Sequence, residues 1–300
     1  MATTTVPAQR GPDVQQNRPS RKRWWGEVGW RYVVAAVAIV YAVWPIVYIL
    51  SASLAERGTL TGSNRLFGEI SPNNYASLAD TYFWTWLGNT LFIATTTAVG
   101  TVLMGAAAAY AFSRFRFRGR RTGLIALLIV QMFPQLLAFV AIFLLLLVLG
   151  DVWPVLGLNS QVALIMVYLG GALGVNTFLM YGFFNTVPKE LDEAAKIDGA
   201  SHAQIYWTII LRLVVPILAV VALLSFISTF SDFLLAKLIL QSESQWTLGV
   251  GLYGWVSDQL SANWGLFTAG AMIGAIPIVA IFLFLQRYIV SGLTAGSVKG

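Results

Sequence analysis

Asn185-Thr-Val-Pro-Lys-Glu-Leu-Asp-Glu-Ala-Ala-Lys-Ile-Asp-Gly199-Ala-Ser-His-Ala-Gln-Ile-Tyr-Trp-Thr-Ile-Ile-Leu-Arg212 is a polar stretch held between two apolar ones. Four of the chain's 13 carboxylates, Glu190, Asp192, Glu193 and Asp198, fall within nine of its residues. Connections longer than about 12–15 residues are usually functional or unstructured, and this one carries helix signals. Pro188 followed by Glu190, Asp192 and Glu193 suits a helix N-terminus and its dipole. Gly199 is placed to end that helix with a positive φ. Ser201-x-x-Gln204 reads as a capping box opening a second helix, which runs towards Arg212. The expected unit is helix, glycine turn, helix, with Ala194 and Ala195 as a smooth surface for a partner. His202, just behind the cap, reads as a surface side chain rather than a ligand.

The flanks of this segment set the fold class. The 300 residues are 57% hydrophobic and 11% charged, against roughly 25% charged in soluble domains. A bilayer core of about 30 Å needs roughly 20 apolar helical residues, and six stretches qualify: 32–54, 86–112, 123–149, 160–184, 214–240 and 264–290. They are continuous runs without strict alternation, which selects helices over a barrel. The fold class is therefore all-α integral membrane, with a six-helix domain over 32–290 and the polar segment 185–213 inside it. The apolar run from Tyr32 to Leu54 exceeds the roughly 7–15 residues of a signal-peptide core, so it reads as a retained first span. Before it, residues 1–31 are basic and polar and read as a largely disordered tail. Residues 291–300 form a second, C-terminal tail.

Lys and Arg placement orients the spans. Sixteen basic residues fall before span one, between spans two and three, between four and five, or at the end of span six and beyond it; Arg57 and Arg65 alone lie in the opposite loops. Both termini and the 185–213 segment are thus expected in the cytoplasm. The net charge of +6 is a topology signal and not a nucleic-acid footprint. Gly170-x-x-x-Gly174 and Gly270-x-x-x-Gly274 are spacings that let helices approach closely. Pro45, Pro134 and Pro277 fall inside spans and favour kinks.

The chain has no cysteine and one histidine, which excludes disulfides, thiolate metal sites and a histidine-based metal cluster. It has no phosphate-binding loop of the G-x-x-x-x-G-K-[ST] type and no H-E-x-x-H. An integral-membrane transferase would need clustered carboxylates or histidines at one membrane face, and these are missing too. Charges within spans are costly and mark functional candidates. Asp232 in span five is a candidate for a solute path, with Asn176 and Gln131 as weaker ones that serve equally as interhelical hydrogen-bond partners. Lys237 is expected to snorkel.

Glu193-Ala-Ala195-x-x-x-Gly199, followed by Ile209-x-Leu211, resembles the EAA motif of ABC importer permease subunits. It lies where that family has it, in the last cytoplasmic loop before the penultimate span. The family pattern places proline after the leucine, where this chain has Arg212. Val215-Pro-Ile-Leu-Ala-Val-Val221 and the closing Gln286-Arg-Tyr-Ile-Val-Ser-Gly-Leu-Thr-Ala-Gly-Ser-Val-Lys-Gly300 are similar to carbohydrate permeases of the maltose/maltodextrin, MalG type. The resemblance implies a non-enzymatic, multi-pass subunit of a bacterial or archaeal plasma (inner) membrane. It implies four kinds of partner: a second, homologous permease subunit, two ATPase subunits, an external sugar-binding protein and the sugar itself. ATP and magnesium would be bound by the ATPases, with no cofactor in this chain. Glu193, Ala194, Ala195, Asp198 and Gly199 would seat the segment on an ATPase, and Thr294, Gly296 and Lys299 would belong to an ATPase-contacting tail. Trehalose or another solute, and a non-transporting scaffold, remain as alternatives.

Overall fold

Lipid offers no hydrogen bonds to a peptide backbone, and the apolar runs accordingly form helices. The computed structural model describes residues 25–56, 66–257 and 263–297; the tail before Trp25, and Lys299, lie outside the described residues. Among these residues the extended pairing is a single bridge between Ala55 and Ile70.

The chain divides into two units, 1–48 and 49–300. The first carries a π-helical turn, Trp25–Gly29, and most of helix α1 (Trp30–Ser53), which keeps Pro45 inside it. The end of the expected disordered tail is therefore helical. Side chains such as Val37, Tyr41 and Trp44 are exposed.

The second unit holds α2 (Phe83–Arg114), α3 (Arg120–Gln131), α4 (Gln135–Val152) and α5 (Gln161–Phe184). It continues with α6 (Glu190–Ile197), α7 (His202–Leu213), α8 (Val215–Phe230) and α9 (Leu234–Ile239). It closes with α10 (Leu248–Val256) and α11 (Trp264–Ser297). Four helices, α1, α2, α5 and α11, are each long and apolar enough to cross a membrane, and up to six spans result when each sharply bent pair is counted as one.

Two of the stretches read as single spans are broken. At 123–149 the helix stops at Met132–Pro134 and restarts as α4, with a bend of 98°. Pro134 has no N–H to continue the ladder and is itself extended, with φ −62° and ψ 114°. At 214–240 the break falls at Ser231–Phe233, between α8 and α9. Asp232 is therefore at a helix break and not inside a continuous helix.

Close helix approach is concentrated where side chains are missing. A Cβ on Gly270 or Gly274 would meet Leu252 or Leu248 of α10 at 2.7 and 2.6 Å. Of the other pair, Gly174 is pressed against Gln131 and Leu127 of α3, whereas Gly170 faces open space. Helix α10, absent from the sequence reading, is seated the same way: a Cβ on Gly251 would lie 2.0 Å from the Trp86 ring. Trp86 donates Nε1–H to the Glu243 carbonyl at 2.9 Å, so the connection before α10 is tied to the start of α2.

Candidate functional site

The polar segment folds as its capping chemistry dictates. Helix α6 carries Glu190, Asp192 and Glu193 in its first turn, where carboxylates meet the positive end of the helix dipole. Asp198 caps its end, and Gly199 follows with φ +85°. Ala200 N–H donates to the Ala195 carbonyl at 2.9 Å and Gly199 N–H to that of Lys196 at 3.0 Å. This is the paired hydrogen bonding of a Schellman turn, which needs a left-handed residue and favours glycine there. Ser201 then accepts from Gln204 N–H at 3.3 Å, while the Gln204 side chain accepts from Ser201 N–H at 2.7 Å. Both halves of the capping box are present. Replacing Ser201 with alanine is expected to cost about 1 kcal/mol of local stability, seen as faster amide hydrogen exchange in the first turn of α7. Unchanged protection there would show that the cap is idle.

Helix α7 runs through Arg212, which is exposed in its last turn. The turn into α8, bent by 79°, is made at Val214 and Pro216. Proline is accommodated there because the first turn of a helix has no use for its N–H.

The segment is not a free loop. Ala195, Ile205, Tyr206 and Ile210 share one buried cluster with Ala106, Ala109 and Tyr110 of α2, with Met180 and Phe184 of α5, and with Ile217 and Val221 of α8. Burial pushes the Tyr206 phenol above its ordinary range, so it packs against the Tyr110 ring as a neutral group, at 5.0 Å between centroids. His202, exposed, packs edge-on against Phe115. Tyr110 donates its hydroxyl to the His202 carbonyl at 3.4 Å.

The strongest polar tie was not foreseen from sequence. Arg114, last residue of α2, sets its Nε 2.6 Å from Asp192 Oδ2, with side chains only 4% and 8% exposed. Nε makes no aligned hydrogen bond in this contact, so it is an ion pair rather than a directed bond. Arg114 Nη2 also donates to the Val187 carbonyl at 3.0 Å, gripping the chain just before α6. The missed signal is positional. Asp192 and Ala195 share the buried side of α6, and a carboxylate on a buried helix face needs a cation.

The opposite side of α6 points outward. Glu190, Glu193, Ala194 and Ile197 are exposed, and their spacing of three and four makes one stripe. Ile197 is 87% exposed, beside Asp198 and Gly199, also exposed. Of the expected segment residues, Glu193, Ala194, Asp198 and Gly199 thus share the outer surface, while Ala195 faces the core. In the expected tail, Thr294 and Gly296 fall in the helical backbone of α11.

The three solute-path candidates separate. Asp232 and Asn176 line a cavity of about 310 Å³ between α2, α5, α8 and α9. Gln131 instead donates to the Gly171 carbonyl at 2.7 Å, in contact with Gly174. Asp232 Oδ1 accepts from the Tyr168 hydroxyl at 2.7 Å and from Ala236 N–H at 3.2 Å, capping α9. Lys237 turns away and rests 4.5 Å above the Trp246 ring.

Comparison with known proteins adds a lineage. Residues 101–295 match the family described as "Binding-protein-dependent transport system inner membrane component". The maltodextrin transport system permease protein MdxG of Bacillus subtilis (strain 168) is 38% identical over 90% of this chain and 95% of its own. The galactooligosaccharides transport system permease protein GanQ of the same organism is 38% identical over 90% and 94%. Among solved structures, a bacterial ABC transporter involved in the import of the acidic polysaccharide alginate matches with a TM-score of 0.74 and 26% identity, covering 90% of this chain and 98% of that one.

Proposed function

The chain belongs to the family of binding-protein-dependent transport system inner membrane components, and on that premise we propose that it is the permease subunit of an ATP-driven oligosaccharide importer. It forms half of a heterodimeric pore, takes its solute from an external binding protein and leaves ATP hydrolysis to two partner subunits. Counting α3 with α4 as one span and α8 with α9 as another gives six, with both termini in the cytoplasm as the basic residues direct. Maltodextrin and galactooligosaccharide permeases resemble the chain equally, at 38% identity, so the solute is a neutral oligosaccharide of this kind. In this reading Thr294, Gly296 and Lys299 belong to the part of the chain that meets the ATPase subunits.

The observation that carries the mechanism is the α6–α7 knob. Its outer face offers an apolar tip at Ile197 and an acidic residue at Glu193, and its inner face shares a core with the ends of three long helices. Seated in an ATPase, such a knob converts closure of the ATPase pair into movement of α2, α5 and α8. An equilibrium between two pore states shifts only by the difference in binding to each, and the loaded binding protein and ATP supply that difference together. The test is uptake of labelled maltotriose and of a galactooligosaccharide into proteoliposomes holding the complete complex. ATP-dependent accumulation of either, lost in Glu193→Lys with the complex still inserted, is the expected result. Accumulation of neither, with active ATPase and a loaded binding protein present, overturns the assignment.

A further inference from the structure

The cavity between α2, α5, α8 and α9 has a chemistry more particular than a polar gap. Asp232 places a carboxylate on its wall, and the lining contains no lysine or arginine to neutralise it. Both hydrogen bonds that hold this carboxylate, from Tyr168 and from Ala236, go to Oδ1, which leaves Oδ2 for a solute. Thr97, 1% exposed, also lines the cavity, and its buried hydroxyl has no partner among the described residues. A buried hydroxyl without a partner costs free energy until something satisfies it. Asn176, Ser228 and Thr229 add side chains to the wall that can both donate and accept hydrogen bonds.

We infer that this cavity is a solute site of the pore that accepts sugar hydroxyls on Asp232 and selects neutral oligosaccharides against acidic ones. Neighbouring sugar hydroxyls donate to a carboxylate in charge-assisted hydrogen bonds, which are shorter and stronger than neutral ones. The size fits, since small-molecule sites begin at about 300 Å³, enough for part of an oligosaccharide at a time. A uronate entering the same space brings a second negative charge within a few ångströms of Asp232, in surroundings where charges are weakly screened. The acidic polysaccharide associated with the alginate transporter is the kind of solute this wall rejects. Tyr168 acts here as a positioning residue: its hydroxyl fixes the carboxylate that meets the solute.

The inference rests on the importer reading above, and the experiment separates the two. The complete complex in nanodiscs is equilibrated with maltotriose and with a maltotriose analogue carrying one terminal glucuronate, and binding of each is measured by dialysis. The wild type is expected to prefer maltotriose by about tenfold or more. Asp232→Asn retains the Oδ1 acceptor that caps α9 but loses the charge, and should bring the preference below about threefold. Asp232→Glu restores the charge and should restore the preference. Equal binding of both probes by the wild type, a preference untouched by Asp232→Asn, or binding of neither probe by a complex that does import maltotriose, overturns the site. A complex that imports no neutral sugar at all overturns the importer reading instead.

Discussion

Arg114→Ala is expected to destabilise the chain by about 3–5 kcal/mol, the usual cost of stranding one member of a buried ion pair. The Asp192 carboxylate left behind is 8% exposed, and its Oδ1 has no partner among the described residues even with Arg114 present. A surface pair would cost at most about 1 kcal/mol, so the measurement distinguishes the two regimes clearly. Denaturation of the purified complex by titration with a strong detergent reads the difference. A shift equivalent to less than about 1 kcal/mol would mean that water reaches Asp192 and that the pair is ornamental.

The double replacement Arg114→Met with Asp192→Leu is expected to behave differently. Buried pairs exchanged together for apolar residues of similar volume are often neutral or stabilising, and this pair is imperfectly satisfied, with Arg114 Nη1 and Asp192 Oδ1 both unpartnered among the described residues. Stability should return to near the wild-type value. Uptake should not return fully, because the charge pair fixes the register between the last turn of α2 and the first turn of α6, and an apolar contact permits sliding. Full recovery of both quantities would show that the pair contributes packing alone.

The reason the α6–Gly199–α7 unit was legible in sequence is that its determinants are local. A Schellman turn is specified by residues within one helical turn of Gly199, and a capping box by two residues three apart, Ser201 and Gln204. Both are complete in the string of letters. The Arg114–Asp192 contact is not, because it joins two elements distant in the chain, and Arg114 had a sufficient separate explanation as a basic residue at a span end. The prolines show the same limit. Pro45 and Pro277 stay inside helices, whereas Pro134 ends one. The apolar residues around them are alike, so the outcome depends on what packs against each turn. Helix α10 was hidden for a related reason. Its nine residues are too few to cross a membrane and carry three glycines, and it is buried by partners distant in the chain: the Trp86 ring on Gly251, and Gly270 and Gly274 beneath Leu252 and Leu248. The break at Asp232 could have been suspected from Ser231-Asp232, since a carboxylate on an apolar helix interrupts it cheaply only where it can cap the next one.

Gly199→Val is expected to abolish uptake while leaving the chain inserted and assembled with its partner permease. Two costs arise at this position, and they can be separated. The first is conformational. Gly199 sits at φ +85°, where a Cβ-bearing residue is strained by roughly 1–2 kcal/mol, and a β-branched one suffers most. The second is steric and is felt only in the complex: a Cβ there meets nothing within 4 Å, so it projects from the outer surface beside Ile197. In the isolated chain that space is empty; under the proposed coupling it is where a docked ATPase would make contact. Asparagine tolerates the left-handed region far better than valine and should leave the turn intact, yet it still adds bulk to the docking surface. Gly199→Asn should therefore fold like the wild type and lose ATPase association by about tenfold, equivalent to about 1.4 kcal/mol. Co-purification of the ATPase subunits at graded concentrations measures that loss, and hydrogen exchange across α6 and α7 confirms that the turn has survived. Wild-type ATPase affinity and uptake in Gly199→Asn would remove close backbone approach from the coupling mechanism and leave the strain of the turn as the whole effect of valine.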